Sequence, residues 1–334
     1  MTGYLLPEVR GWPEWASIFT DGSLWRPVVE RVWDENDDLR RAATNHAPTA
    51  ILPGYPGTCA VFIVNDASVI KFFPPMVAHD FTRELAVYRL IARRVPCIPT
   101  LLASGVLVDR LRWPYLVVSR LPGDAWRDLR YSLPRSAALE AMETLGRVIR
   151  STHDIRLPQS GGWPSANDWE VFVQSRLPHA GAELARNTAL NRGITDEIEA
   201  YLAATDWFVE RPCLVHADLT EDHLLLDRRD GCWHMSGLID WADAEVSDPF
   251  YDLVALWFSI CRRDAGLFHA FRAGYGETGS WNTDGIQRLT AFTFIHRFAA
   301  NIINEVLTPS EQRAVRTLEE LQSELFGGIA ASVG

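Results

Sequence analysis

Residues 215–227 read VHADLTEDHLLLD, and residues 237–241 read GLIDW. In both segments, carboxylate or imidazole side chains stand next to an apolar run with the composition of a short strand. A loop flanked by strands is where a rigid scaffold presents reactive groups, so Asp218, His223 and Asp240 are candidate functional residues. Either segment alone is also compatible with an ordinary hairpin carrying solvated acids. The functional interpretation depends on both occurring together at this spacing.

The pattern of His-x-Asp, a ligand-type side chain five positions after the aspartate, and a later Ile-Asp-Trp resembles the catalytic and metal-binding loops of the aminoglycoside phosphotransferase family. The resemblance extends over residues 51–256. That family shares the protein-kinase-like fold. The resemblance therefore implies an α+β, bilobal protein with a β-rich N-lobe over residues 1–118, a hinge over 119–124, and a mainly helical C-lobe over 125–334.

The hydrophobic periodicity of the chain agrees with this division. A helical pattern begins at residue 23, and a five-stranded sheet with one helix against it is predicted to follow. The predicted strands are residues 50–52, 59–64, 68–73, 101–107 and 115–119, and the helix is 77–93. Beyond the hinge, the clearest helical segments are 136–152 and a stretch between 169 and 208. Strands are predicted at 223–227 and 236–240, and helices resume from 249.

The resemblance also implies an activity, in which the γ-phosphate of ATP or GTP passes to a hydroxyl group of an aminoglycoside with the help of Mg²⁺. Asp218 would accept the proton of the attacking hydroxyl, Asp240 would bind the metal ion, and His216 would hold the loop by hydrogen bonding. His223 stands where most family members have asparagine, whose amide oxygen suits Mg²⁺. Imidazole is a softer ligand, so His223 is expected to be the second metal position but departs from the pattern.

Lys71 lies in a predicted strand, in the run VIKFF at residues 69–73, and is the only lysine of the chain. A compact ammonium group fits between phosphate oxygens and a carboxylate where a planar guanidinium does not. We therefore expect Lys71 to bind the phosphates of the nucleotide, with Glu84 of the following helix as its partner. The alternatives are a lysine that extends from an edge strand to solvent and a glutamate on a solvated helix face.

Four further positions are predicted to contact the nucleotide. Gly54 and Gly57 lie in the turn between the first two strands, where the resemblance places the cover of the phosphates, although Pro56 removes one amide from it. Ser119 and Leu121 lie in the connector, where the family binds the purine through backbone groups.

Acidic residues near the two motifs are candidates for binding the ammonium groups of an aminoglycoside. They are Glu221, Asp222, Asp243 and Glu245. Each of them alone is equally a solvated loop residue. Asp252 is expected instead to brace the catalytic loop from within the C-lobe. The segment 113–126 resembles the hygromycin-phosphorylating branches of the family.

Composition restricts the partners. A net charge of −11 disfavours a nucleic-acid partner and is compatible with a cationic small molecule or with an acidic surface that serves solubility. No apolar run is long enough to span a membrane and no secretory signal is visible, so we expect a cytoplasmic monomer without membrane contact. The five cysteines form no CxxC pair.

Two other functions fit part of the pattern. One is a nucleotide-binding protein without catalysis, favoured by His223 and by Pro56. The other is a metal-dependent hydrolase that would use His216, Asp218, His223 and Asp240 around zinc or manganese. Within the kinase interpretation, another hydroxylated metabolite could replace the aminoglycoside as acceptor.

Overall fold

The computed structural model describes residues 4–42, 47–55, 57–92, 94–158, 166–277 and 283–330. Pro56 and Arg93, which belong to a predicted turn and a predicted helix end, lie outside these ranges. The chain forms two compact units. The N-terminal unit comprises Met1–Gly123 and Ser236–Asp243, and the C-terminal unit comprises Asp124–Met235 and Ala244–Gly334.

The N-terminal unit is built on a five-stranded antiparallel sheet, as predicted. Its strands are β1 (Ile51–Pro53), β2 (Ala60–Val64), β3 (Ser68–Phe72), β4 (Leu101–Val108) and β5 (Arg112–Ser119), in the order β1-β2-β3-β5-β4. Side chains of β2 and β3 alternate between buried and half-buried positions, as a strand with one face on a core requires. The helices of this unit are α1 (Trp12–Ala16), α2 (Gly22–Glu35), α3 (Asp37–Ala42) and α4 (Ala78–Ile91), with a 3₁₀ turn at Pro75–Val77 before α4.

Helix α2 supplies the hydrophobic core of this unit. It begins at Asp21, whose side chain accepts hydrogen bonds from the backbone N–H groups of Ser23 and Leu24. The ring of Trp25 lies 4.9 Å from that of Phe72 on β3 and is fully buried. Val28, Val29, Val32 and Trp33, four of the apolar positions that predicted this helix, are buried in the same cluster as residues of the sheet.

The C-terminal unit is mainly helical. Its helices are α5 (Trp126–Leu129), α6 (Arg135–His153), α7 (Ala166–Arg176), α8 (Ala180–Asn187), α9 (Arg192–Ala204), α10 (Phe250–Ala255), α11 (Ala265–Tyr275), α12 (Thr283–Ile295), α13 (Ala299–Val306), α14 (Pro309–Ala314) and α15 (Leu318–Ala330), and a π-helical turn over Leu256–Ile260 continues α10. The short strands of the chain beyond β5 are β6 (Asp124–Ala125), β7 (Cys213–Val215), β8 (Leu224–Arg229), β9 (Cys232–Leu238) and β10 (Glu245–Ser247). Strand β7 pairs with β10, which sequence patterning did not predict, and β6 pairs with β8.

The boundary between the units differs from the sequence-based division in one respect. The chain divides at Gly123, inside the predicted hinge, but Ser236–Asp243 belongs to the N-terminal unit instead of the helical C-lobe. Hydrogen bonds explain this placement. The Leu238 N–H donates to the Cys97 carbonyl at 2.8 Å, and the Ser236 hydroxyl donates to the Pro122 carbonyl at 2.6 Å.

Helices α6 and α11 pack with their backbones in contact. A Cβ atom built on Gly146 would lie 2.1 Å from the carbonyl oxygen of Phe271, and one on Gly274 would lie 1.9 Å from that of Glu143. Only glycine fits at such distances. The pair of glycines therefore fixes how closely the two helices approach. Among the described residues, none of the helices has the length and apolar character needed to cross a membrane.

This contact predicts a large cost for one methyl group. Gly274→Ala should lower the free energy of unfolding by at least about 2 kcal/mol, because the new Cβ overlaps a backbone carbonyl that cannot rotate away. Gly327→Ala is the matched control, since its Cβ would meet no atom closer than 3.8 Å in helix α15. Alanine favours a helix interior by up to about 1 kcal/mol over glycine, so the control should not be destabilised. Urea unfolding of both variants measures the difference, and equal stability would contradict the contact.

Candidate active site

Lys71 lies between two carboxylates within the N-terminal unit. Its Nζ atom is 2.9 Å from Glu84 Oε2 on α4 and 2.7 Å from Asp240 Oδ1, just beyond the end of β9. The pairing of Lys71 with Glu84 predicted from the sequence therefore forms. Lys71 and Glu84 are almost fully enclosed, whereas the side chain of Asp240 keeps 40% of its surface exposed. The exposed carboxylate gives this buried group a face open to a ligand.

Burial and charge act against each other in this group. Burial opposes the positive charge of Lys71, but Asp240 and Glu84 outweigh it and raise the pKa of the amine well above its usual value. Burial also raises the pKa of Glu84, to about 7, although Lys71 and hydrogen bonds such as that from the Trp241 N–H favour its charged form. The ammonium group of Lys71 thus forms ion pairs with both Glu84 and Asp240, and we take Lys71 to be charged.

Asp240 has a left-handed backbone conformation with a φ of 62°. Such a conformation is uncommon outside glycine, although aspartate tolerates it better than most residues. The turn ends the apolar run of β9 and directs the carboxylate to Lys71. Local backbone strain of this kind is held only where the surrounding contacts compensate for it.

Asp252 of α10 holds the loop that carries Asp218 through hydrogen bonds to the loop backbone. Its carboxylate accepts the backbone N–H of Ala217 at 2.8 Å and that of His216 at 3.0 Å. The bracing role predicted for Asp252 is therefore confirmed. Burial raises the pKa of Asp252, but hydrogen bonds from His153 and the backbone outweigh this effect and hold it below its usual value. The brace is an ionised carboxylate.

The imidazole of His216 is fully buried and accepts the Asp218 N–H on Nδ1 at 3.3 Å. This agrees with the predicted role of His216 in holding the loop. Between these two residues, Ala217 has a φ of 64°, in the left-handed region. The residue just before the candidate base is thus strained, and its N–H is one of the groups that Asp252 accepts.

His223 has a defined tautomer. Its Nδ1 atom lies 2.8 Å from the carbonyl oxygen of Asp218. A carbonyl only accepts, so Nδ1 carries the proton and, in the neutral ring, the lone pair belongs to Nε2. Nε2 is the atom through which a neutral imidazole would bind a metal ion.

Most of the acids predicted to bind an aminoglycoside have arginine partners. Glu221 is buried and contacts Arg130 and Arg262, the latter at 2.9 Å, and also Arg127 at 3.4 Å. Asp222 pairs with Arg127 as well. The three guanidinium groups contact the carboxylate of Glu221 and give it a structural role, while its contact with substrate stays a prediction.

The remaining two predicted acids are Glu245 and Asp243. Glu245 pairs with Arg297 at 2.7 Å and is mostly buried. Asp243 is half-buried, and its charge adds to the effect of burial in raising the pKa of Asp80. The charges of His79 and Arg83 act on the pKa of Asp80 in the opposite direction.

The predicted nucleotide contacts are placed as follows. A Cβ on Gly54 would lie 2.8 Å from Val61 Cγ1, so the close approach of this turn to β2 requires glycine, whereas Gly57 has no neighbour within 4 Å. Ser119 uses its N–H and its hydroxyl oxygen to bind the Thr100 backbone, each at 2.8 Å. Leu121 is half-buried.

Two residues near the loop were missed by sequence reasoning. His153 donates from Nε2 to Asp252 Oδ2 at 3.1 Å, and its Nδ1 lies 2.8 Å from the hydroxyl of Tyr275. His153 lies 99 positions before Asp252 and 122 positions before Tyr275, and nothing in local spacing links these residues. The glycines that bring α6 and α11 together are the only signal that could have suggested the pair.

Within the described ranges, no group of three or more His, Cys, Asp or Glu side chains is placed to hold a metal ion. A zinc or manganese hydrolase, the alternative considered from the sequence, would use at least three such ligands. Mg²⁺ differs, because it is commonly bound by one or two carboxylates together with the phosphates of the substrate.

Comparison with known proteins identifies the family. A family model described as the phosphotransferase enzyme family matches residues 60–291, well over half of the chain and including every residue of both motifs. The chain belongs to this family. The family predicted from the sequence is therefore confirmed.

Among curated proteins, the chain is 30% identical over 175 residues to viomycin phosphotransferase from Streptomyces vinaceus, covering 50% of this chain and 57% of that protein. It is 23% identical over 203 residues to the lysine-specific demethylase JMJ21 from Arabidopsis thaliana, covering 49% of this chain and 21% of that protein. The chain thus spans somewhat more than half of the length of viomycin phosphotransferase and about a fifth of the length of the demethylase.

Among solved structures, the GDP and kanamycin complex of the aminoglycoside phosphotransferase APH(2″)-IIIa matches with a TM-score of 0.62 at 20% identity. The match covers 90% of this chain and 99% of that one. A likeness at this identity concerns the fold, and it confirms the α+β, protein-kinase-like fold.

The arginine contacts of Glu221 predict a structural effect. Glu221→Gln should lower the free energy of unfolding by about 3 kcal/mol, because it leaves guanidinium groups packed around a site without its negative charge. Glu35→Gln is the matched control, since Glu35 pairs with Arg31 at 2.8 Å on an exposed helix surface and should contribute less than about 1 kcal/mol. Urea unfolding compares them, and an unchanged stability of the Glu221 variant would contradict the structural role of these arginine contacts.

Proposed function

We propose that this protein transfers the γ-phosphate of ATP or GTP to a hydroxyl group of an aminoglycoside-type antibiotic and thereby gives resistance to it. Membership of the phosphotransferase enzyme family supports the reaction class. The name of viomycin phosphotransferase and the GDP and kanamycin complex of the structural relative support the nucleotide donor and the kind of acceptor.

The observation that carries this proposal is the ammonium group of Lys71 between Glu84 and Asp240. A buried ammonium is costly, and a chain that otherwise uses arginine retains lysine at this one position. In the proposed role, Lys71 binds phosphate oxygens of the nucleotide and Glu84 holds its side chain in place. Ser119 and Leu121 of the connector would bind the base, and the turn with Gly54 and Gly57 would cover the phosphates.

Asp218 is the proposed general base. Phosphoryl transfer asks mainly for positioning and neutralisation of charge, so one carboxylate that accepts the hydroxyl proton is sufficient. His216 binds the Asp218 N–H, and Asp252 holds the two preceding amides, so the loop presents the carboxylate in a fixed orientation. Asp218 retains 24% of its side-chain surface for contact with an acceptor.

The residues present also fit Mg²⁺. Asp240 provides a hard, partly exposed carboxylate, and His223 has the tautomer that leaves Nε2 as its ligand atom. Bound Mg²⁺ would neutralise charge on the phosphates. We propose Asp240 as the principal ligand and His223 as the secondary one.

The acceptor is proposed to be cationic. The net charge of −11 favours a positively charged substrate, and Asp243, whose charge acts on Asp80, is a candidate acid for binding it. Hygromycin is one aminoglycoside within this proposal. All five cysteines lie in the described ranges and none forms a disulfide, which supports a cytoplasmic location. A monomer that binds neither nucleic acid nor membrane completes the proposal.

A panel of aminoglycosides, including kanamycin and hygromycin, tests the activity. With Mg²⁺ and ATP or GTP, at least one compound should gain the mass of a single phosphoryl group, and fragmentation of the product maps the modified hydroxyl. Turnover of other hydroxylated metabolites instead would replace the acceptor and keep the reaction. Nucleotide binding without any phosphorylated product would favour a non-catalytic protein.

Replacement of the base should separate chemistry from binding. Asp218→Asn should lower kcat by at least about 100-fold, because the amide cannot accept the hydroxyl proton. Affinity for the nucleotide, measured by calorimetry, should stay within a few-fold of the wild-type value.

Asp227→Asn is the matched control for this variant. Asp227 lies on β8 and pairs with Arg229 at 2.9 Å, away from the proposed chemistry. Its turnover should equal that of the wild type. Full turnover by Asp218→Asn would remove the assignment of the base.

A further inference from the structure

A chain of hydrogen bonds connects the end of helix α11 to the loop that carries Asp218. It runs from the hydroxyl of Tyr275 to His153 Nδ1, and from His153 Nε2 to Asp252 Oδ2. Asp252 then accepts the amides of His216 and Ala217. Every member lies within the C-terminal unit.

The direction of these bonds is determined by chemistry. The ionised Asp252 only accepts, so Nε2 of His153 must carry a proton. Burial raises the pKa of the Tyr275 phenol, so its hydroxyl stays protonated and donates to Nδ1 when that ring nitrogen carries no proton. Tyr275 thereby selects the tautomer of His153 that donates to Asp252.

The loop needs this support because its backbone is strained. Ala217 has a φ of 64°, which disfavours any residue with a Cβ atom. Asp252 Oδ1 accepts the N–H of this same residue at 2.8 Å. When the orientation of Asp252 is lost, the strained conformation loses its main compensation, and Asp218 follows directly in sequence.

We propose that Tyr275 and His153 are positioning residues for the catalytic loop, acting through Asp252, and that the glycine contact between α6 and α11 brings them together. His153 is the last residue of α6, and Tyr275 is the last residue of α11. Gly146 and Gly274 set the distance between these helices and therefore between the two side chains. The consequence for turnover rests on the proposed phosphotransferase activity, whereas the consequence for the loop does not.

Tyr275→Phe removes only the tyrosine hydroxyl, which is the first group in this series of hydrogen bonds. Hydrogen–deuterium exchange of peptides that contain the His216 and Ala217 amides should become faster in the protein without ligands. In the acceptor assay, kcat should fall by roughly 10- to 100-fold, because small displacements of a catalytic group are costly. The KM for the nucleotide should stay within about three-fold of the wild-type value, since Lys71 and its partners are untouched.

Tyr201→Phe is the matched control. Its hydroxyl donates to the Gln287 carbonyl at 2.6 Å in the same unit, so the same chemical group is removed from a bond remote from the loop. Exchange at the loop and kcat should both remain as in the wild type. A general effect of losing a tyrosine hydrogen bond in this unit would alter both variants.

Relief of the backbone strain gives a second, independent test. Ala217→Gly makes the left-handed conformation favourable, so adding it to Tyr275→Phe should restore at least part of the lost kcat and of the exchange protection. If Tyr275→Phe does not fold, His153→Gln replaces it in the exchange and kcat measurements, with the same expected results.

The proposal is overturned if Tyr275→Phe and His153→Gln leave loop exchange at the level of the Tyr201→Phe control. It is also overturned if the loop loosens while Ala217→Gly restores neither quantity. If the wild-type protein phosphorylates none of the acceptors, the proposed function fails, but the exchange experiment still decides whether Tyr275 holds the loop.

Discussion

An ammonium group enclosed by two carboxylates determines how the N-terminal unit is assembled. Lys71 comes from strand β3, Glu84 from helix α4, and Asp240 from a segment almost 170 positions later in sequence. Removing such charges from water costs several kcal/mol each, so the group is stable only when all three elements are in place. Together with the hydrogen bonds to Cys97 and Pro122, this interaction ties Ser236–Asp243 to the N-terminal unit, although the strands and helices around this segment belong to the other unit. It also leaves one carboxylate, that of Asp240, partly open to solvent.

Each of the two aspartates proposed for the reaction depends on a strained backbone. Asp240 itself has a φ of 62°, and the residue before Asp218 has a φ of 64°. Strain of this kind persists only where surrounding contacts compensate for it. At Asp240 the compensation is the ion pair with Lys71, and at Ala217 it is the hydrogen bond to Asp252. The same physical arrangement, a strained residue held by a buried charge, therefore recurs at both positions.

The sequence predicted what depends on local pattern and on motif. The five strands, helices α4 and α6, and the pairing of Lys71 with Glu84 followed from periodicity and residue type. The role of Glu221 did not follow, because its arginine partners lie 94, 91 and 41 positions away and acids in a loop look alike whether solvated or buried. The grouping of Ser236–Asp243 with the N-terminal unit also did not follow from local pattern, because long-range hydrogen bonds to Cys97 and Pro122 contribute to it. Tyr275 and His153 were missed since only tertiary packing brings them to Asp252.

The shape of the Lys71 cation provides the most direct test of the central claim, that this amine binds the phosphates of a nucleotide. Calorimetry should compare Mg²⁺-ATP and Mg²⁺-GTP binding by the wild type, Lys71→Ala and Lys71→Arg, with circular dichroism to verify that each variant is folded. Loss of a hydrogen-bonded charge costs about 1.5–3 kcal/mol, so Lys71→Ala should bind at least one nucleotide roughly 10- to 100-fold more weakly. Lys71→Arg should be similarly impaired, because a planar guanidinium does not fit between Glu84 and Asp240. Wild-type affinity in both variants would contradict the account.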